Sequence, residues 1–156
     1  MHICSCQRGT ADLNSYFLEV PIKHHIRSVQ DWLHHFESTS QRLCIQCQEP
    51  LTTRYLFHQS PPLIGLDVWD CGTMELSRNV TINVASRPLP VKYRLSSIIY
   101  FGQGHFTTWY ILPSGSIFYH DGINGSDMVV DSAEHIDLHF CRGKTAIFLL
   151  YVIDNA

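Results

Sequence analysis

The stretch from Tyr93 to Asp121 constrains the fold of this chain more than any other. Two runs rich in β-branched and aromatic residues, 105–112 and 117–121, flank Pro113-Ser114-Gly115-Ser116. Strand formers interrupted by such a turn signal fold as a hairpin. A hairpin centred near Ser114 runs the chain antiparallel to itself. His105, at the start of the first strand, then lies at the same end of the ribbon as Asp121, at the close of the second. Direct pairing opposes Asp121 to about Thr108, so a contact with His105 needs a bulge or a diagonal approach. Gly102 and Gly104, on either side of Gln103, let a thin substrate backbone come close to the histidine. A histidine held by a carboxylate beside a glycine-lined slot is the base half of a nucleophilic triad. The same residues also suit an ordinary sheet with a solvated histidine and a turn aspartate.

A chain of 156 residues is long enough to bury a core of its own and short enough to be one domain. A net charge of -3 argues against a phosphate-backbone binder, which is normally basic, so nucleic acid is not an expected partner. No stretch approaches the roughly 20 apolar residues of a membrane span. Met1-His2-Ile3-Cys4-Ser5-Cys6 lacks the basic start and apolar core of a signal peptide. An intracellular, reducing location is therefore expected, where six cysteines serve as thiols or metal ligands rather than disulfides.

Along the chain, Ser15 to Ile22 reads as a strand, with Pro21 marking an edge or its end. Ser28-Val29-Gln30-Asp31 reads as a helix start, with Ser28 as the cap and Asp31 at the positive end of the dipole. Val29, Trp32, Leu33 and Phe36 share one face, which predicts a single main helix near 28–38. The remaining strand-like runs are 51–58, 63–69, 79–85, 92–101, 105–112, 117–121 and 145–153. The expected fold is α+β: a mostly antiparallel twisted sheet with one helix.

Cysteines supply a second constellation. Cys44-Ile45-Gln46-Cys47 has the spacing that lets a tight turn aim two thiolates at one tetrahedral zinc. Cys4-Ser5-Cys6 is a closer pair that needs a different turn. Together the four suit a structural zinc; the alternative is thiols that pack as small hydrophobes. No cofactor for chemistry is implied. Cys71 and Cys141 stand alone, and Arg142 and Lys144 beside Cys141 would favour its thiolate.

In this order, the motifs resemble the C-terminal, palm-and-fingers half of a ubiquitin-specific protease (USP, peptidase C19) catalytic domain, a cysteine-type deubiquitinase. Cys4/Cys6 and Cys44/Cys47 are similar to the two cysteine pairs of that family's fingers ribbon. Pro61-Pro62-Leu63-Ile64-Gly65-Leu66 is similar to the strand that follows it. Gly104-His105-Phe106 resembles the histidine box, Phe118-Tyr119-His120-Asp121 the run ending in the triad acid, and Ala146 to Val152 the closing strand. The resemblance implies a single partial domain over 1–156, with 1–60 as fingers and 61–156 as palm. It implies His105 as general base, Asp121 as its orienting acid, and Gly102, Gln103 and Gly104 as the substrate-binding loop.

The departures carry as much weight. The family's nucleophilic cysteine belongs to an Asn-x-x-x-x-Cys box on a thumb helix upstream of the fingers, and nothing in this sequence matches that box. The cysteine pair Cys4/Cys6 is too closely spaced. Tyr100 stands where the family often has histidine, Trp69-Asp70 where a basic-aromatic pair is usual, and Gly122 where a second acid is frequent. Triad members act as a unit, and losing one costs on the order of 10⁴–10⁶ in rate. The expectation is a deubiquitinase-lineage chain, truncated and inactive alone, with ubiquitin or a ubiquitin-like protein and a separate thumb-bearing chain as partners. The alternatives are a non-catalytic ubiquitin- or protein-binding module and a zinc-ribbon interaction scaffold.

Overall fold

The strand runs read from the sequence become strands and the one helical period becomes a helix. The computed structural model describes residues 2–3, 9–10, 18–19, 26–34, 37–54, 57–123, 125–131 and 136–154. In chain order they form β1 (His2–Ile3), β2 (Gly9–Thr10), β3 (Leu18–Glu19), α1 (Val29–His34), β4 (Glu37–Leu43), β5 (Pro50–Arg54) and β6 (Leu63–Asp67). There follow β7 (Asn79–Ile82), β8 (Val91–Gly102), β9 (His105–Ile111), β10 (Ile117–Asp121), β11 (Gly125–Asp131), β12 (Phe140–Cys141) and β13 (Lys144–Ile153). They build two sheets. One has the order β2-β1-β5-β4; the other runs β11-β10-β9-β8-β13-β6-β3, with β7 also paired to β8 and β12 to β13. Among the described residues the pairings between these strands are antiparallel except β3 with β6. The fold is α+β and mostly antiparallel.

β8 is the spine of the larger sheet. Its first half pairs with β7 and its second half with β9, while β13 runs along its other edge. Val91, Tyr93 and Leu95 face the core, and then Ile98 and Tyr100 do. That change of parity needs one extra residue. Leu150 opposes Ser97 and Tyr151 opposes Leu95, which leaves Ser96 as a bulge that turns the next side chains back inward. The core includes these residues with Leu66, Val80, Ile82, Trp109, Ile117, Tyr119, Leu149 and Tyr151. Three of its tyrosines place their hydroxyls on backbone carbonyls: Tyr93 on Pro61, Tyr100 on Leu138 and Tyr151 on Ser77. Each ring thus enters the core without burying an unpaired hydroxyl.

The helix is shorter than expected. Ser28 Oγ accepts the backbone N–H of Asp31 at 3.0 Å, the cap read from the sequence. Val29, Trp32 and Leu33 are buried as predicted, but α1 ends at His34. Glu37 and Ser38, expected in its last turn, pair with Arg54 and Thr53 as the start of β4. Phe36 lies outside the described residues. Ser38-Thr39-Ser40 are weak helix formers, and sheet pairing overrides the apolar period there. Gln30 on α1 meets the edge of β7: its side-chain amide donates to the carbonyl of Thr81 at 3.1 Å and accepts the Thr81 N–H at 2.7 Å. Among the described residues no helix is long and apolar enough to cross a membrane.

Candidate functional site

The hairpin of β9 and β10 places Asp121 opposite Thr107, one residue from the Thr108 expected. The difference follows from a turn whose closing pair is Ile111 with Ile117, and it removes any need for a bulge. Side chains two residues apart share a face, so His105 is the diagonal neighbour of Asp121. His105 Nε2 lies 3.4 Å from Asp121 Oδ2. Asp121 is nine-tenths buried, while the His105 side chain keeps 21% of its surface exposed. With Nε2 turned to the carboxylate, Nδ1 is the ring nitrogen directed away from it.

The carboxylate is held at both ends. Oδ1 accepts the backbone N–H of Ile123 at 3.0 Å, and Oδ2 accepts the phenol of Tyr119 at 3.2 Å. Burial raises the pKa of Tyr119 first, and its hydrogen bond to Asp121 raises it further, against the opposing Arg142. The phenol therefore keeps its proton and stays a donor. Tyr119 was not singled out in the sequence, although its position two residues before Asp121 puts it on the same strand face. Thr107, directly opposite Asp121, has a buried hydroxyl with no hydrogen-bond partner among the described residues, as has the indole N–H of Trp109.

Gly102, Gln103 and Gly104 form the tip of the β8–β9 hairpin. Gln103 has φ 54° and Gly104 φ 80°, two successive left-handed residues closed by the Gly102–His105 pair. This is the turn whose twist matches an antiparallel ribbon. Gly102 has a packing reason to be glycine. A Cβ there would stand 3.1 Å from Lys144 Cα and 3.2 Å from the Gly143 carbonyl oxygen, so that side faces β13. Gly104 has open space around it. A second turn of the same kind, Arg142 (φ 49°) and Gly143 (φ 78°), joins β12 to β13.

Arg142 lies with its guanidinium carbon 4.0 Å from the centre of the Tyr119 ring. The contact brings the β12–β13 turn over the strand face that carries Tyr119, Asp121 and His105. Although adjacent to Cys141 in the chain, Arg142 places its guanidinium on Tyr119. Lys144, the other basic neighbour of Cys141, is buried.

The cysteines are dispersed. Cys44 is buried and Cys47 half-buried on the turn between β4 and β5, where Gln48 takes φ 58°. The backbone N–H of Cys44 bonds the Glu49 carbonyl and that of Gln48 bonds the Cys44 carbonyl. The knuckle thus presents two thiols. β1 pairs with β5 and runs toward that end of the sheet, with Cys4 and Cys6 outside the described residues. Among the described residues no group of three or more metal-ligating side chains stands together. Cys71 has its pKa raised, chiefly by burial and also by Asp70, the opposite of an activated thiol. Cys141 is buried.

No family model and no curated protein matches the sequence. Solved structures match by fold. A chain of the yeast SAGA DUB module with a variant Sgf73 aligns with a TM-score of 0.69 and 16% identity, over 99% of this chain and 39% of its own length. A chain of the SAGA DUB module Ubp8/Sgf11/Sus1/Sgf73 bound to monoubiquitin gives 0.65 and 17%, over 99% and 39%. The module bound to ubiquitin aldehyde gives 0.65 and 16%, over 99% and 40%. The fold is USP-like. At these identities the likeness is one of fold, and the chain spans 39–40% of the length of the chains it matches.

Proposed function

We propose that the chain is of deubiquitinase lineage and carries the base half of a cysteine-protease site, without a nucleophile of its own. The observation that supports this reading is the His105 Nε2–Asp121 Oδ2 approach of 3.4 Å on adjacent strands of a USP-like fold. Asp121 orients the imidazole, and Nδ1 is then placed to take a proton from a thiol supplied by another segment. The open tip at Gln103 and Gly104 would receive the substrate's extended acyl tail. By itself the chain binds ubiquitin or a ubiquitin-like protein and does no chemistry. A thumb-bearing polypeptide with the Asn-x-x-x-x-Cys box completes it.

A structural zinc belongs to the same reading. The knuckle at Cys44 and Cys47 offers two ligands, and Cys4 and Cys6 would complete the tetrahedron. Metal analysis of the purified reduced protein should give about one zinc per chain, lost in Cys44→Ala; no metal in the wild type would leave the thiols as packing residues.

Complementation tests the proposal. The full chain is mixed with a separately expressed thumb carrying the cysteine box, and hydrolysis of a ubiquitin–fluorophore conjugate is followed. Activity should appear only in the mixture and fall to background in His105→Ala. A mixture that associates and stays inactive, or activity that survives His105→Ala, would count against it.

A further inference from the structure

The torsion that orients an aspartate carboxylate is broad and nearly two-fold, so packing alone does not fix which oxygen faces a neighbour. Here two donors from β10 and the residues after it fix it. The Ile123 N–H holds Oδ1, and the Tyr119 hydroxyl meets Oδ2, the same oxygen that faces His105 Nε2. The Tyr119 ring is itself held from above by Arg142, carried on the left-handed turn between β12 and β13. A cation over the ring face polarises the phenol and strengthens its O–H as a donor. The contacts therefore run unbroken from Arg142 through Tyr119 and Asp121 to His105.

We propose that Tyr119 is a positioning residue, whose phenol, clamped beneath the Arg142 guanidinium, holds Asp121 Oδ2 in the orientation that faces His105. Its role is distinct from that of the pair it serves: Tyr119 touches the carboxylate and no reacting atom. This inference rests on the His105–Asp121 pair proposed above, and it adds a specific demand. The orientation of Asp121 should depend on one hydroxyl two residues away on the same strand face.

The test is proton NMR of the full chain, reading the ring N–H of His105, which is displaced downfield when bonded to a carboxylate and protected from solvent exchange. The wild type should show this resonance and Asp121→Asn should lose it. Tyr119→Phe, which keeps the ring and its stacking with Arg142, should shift the resonance upfield or broaden it while circular dichroism and thermal unfolding show an intact fold. Arg142→Gln should move it in the same direction by less. A resonance unchanged in Tyr119→Phe but lost in Asp121→Asn would overturn the positioning role and leave the pair standing. A wild type without the resonance, or one indifferent to Asp121→Asn, would overturn the pair and this inference together.

Discussion

At the scale of single residues, the site was legible where it followed from strand period and hairpin geometry. His105 and Asp121 could be paired from the sequence because a turn at Pro113–Ser116 fixes which ends meet, and an error of one residue in register still leaves them neighbours. Tyr119 was equally accessible through the same period of two, but a tyrosine among Phe118 and His120 carries no signal until its hydroxyl is seen on Asp121. Thr107 was not accessible at all, since whether a buried hydroxyl finds a partner is settled by packing. Its orphaned Oγ1 makes Thr107→Val a stabilising substitution: the shape is kept and a desolvated group is removed, for a gain of about 1 kcal/mol. Urea unfolding checks this, and a loss of stability would reveal a bond to that hydroxyl. The buried tyrosines make a further prediction. Burial raises the pKa of Tyr93 to about 12 and moves Tyr100, Tyr119 and Tyr151 the same way. A group whose folded pKa exceeds its unfolded value of about 10 contributes stability that is complete below about pH 10 and is lost as pH rises through the folded value. Stability should fall steeply between about pH 10 and about pH 12, with tyrosinate absorbance appearing as the chain unfolds; tyrosinate formation well before unfolding would contradict it.

At the scale of elements, long periodic segments were read well and short ones poorly. The expected strands at 92–101, 105–112, 117–121 and 145–153 correspond to β8, β9, β10 and β13 with ends within one residue. The helix lost its last turn to β4, because the polar run Glu37–Leu43 is a strand only by virtue of pairing with β5. β11 went unnoticed for the same reason: Gly125-Ser126-Asp127 carries no strand propensity and is ordered by its neighbour β10. The β8–β9 turn illustrates how an element constrains the site. Gly102 faces the backbone of β13, and an alanine there must displace Lys144 Cα or the Gly143 carbonyl, neither of which can rotate away. Gly102→Ala should cost about 1–3 kcal/mol, the usual penalty for overpacking, and should shift the backbone amides of Gln103, Gly104 and His105 in an NMR spectrum. Gly104→Ala meets open space but must adopt φ 80°, so its cost is conformational and its effect on Gly143 should be small.

For the whole molecule, the property that sequence could not supply is which turns meet across a sheet face. Strand order follows from hairpins, yet it takes the Arg142–Tyr119 contact to show that the β12–β13 turn reaches over β10. The opposite face is different in kind. Phe101 and Phe106, adjacent to inward-facing Tyr100 and Thr107, form a ring stack with Trp69, at centroid distances of 4.7 Å between the phenylalanines and 5.5 Å from Trp69 to Phe101. Trp69, Phe106 and Tyr110 remain exposed there. Catalysis turns on whether any thiol of this molecule can serve His105. A nucleophile must lie within about 3–4 Å of the base and open to an incoming carbonyl. Among the described cysteines, Cys44 and Cys47 belong to the other sheet's turn, Cys71 has a raised pKa, and Cys141 is buried at 4% exposure, closed to a substrate backbone. The chain alone should therefore neither hydrolyse a ubiquitin–fluorophore conjugate nor label with a thiol-reactive ubiquitin probe, its rate lying some 10⁴–10⁶ below that of an intact triad. Labelling assayed by gel shift, in the wild type and in Cys141→Ala and His105→Ala, decides the matter. Robust labelling that disappears in both variants would establish Cys141 as a nucleophile reached by local opening and would end the reading of this chain as half of a site.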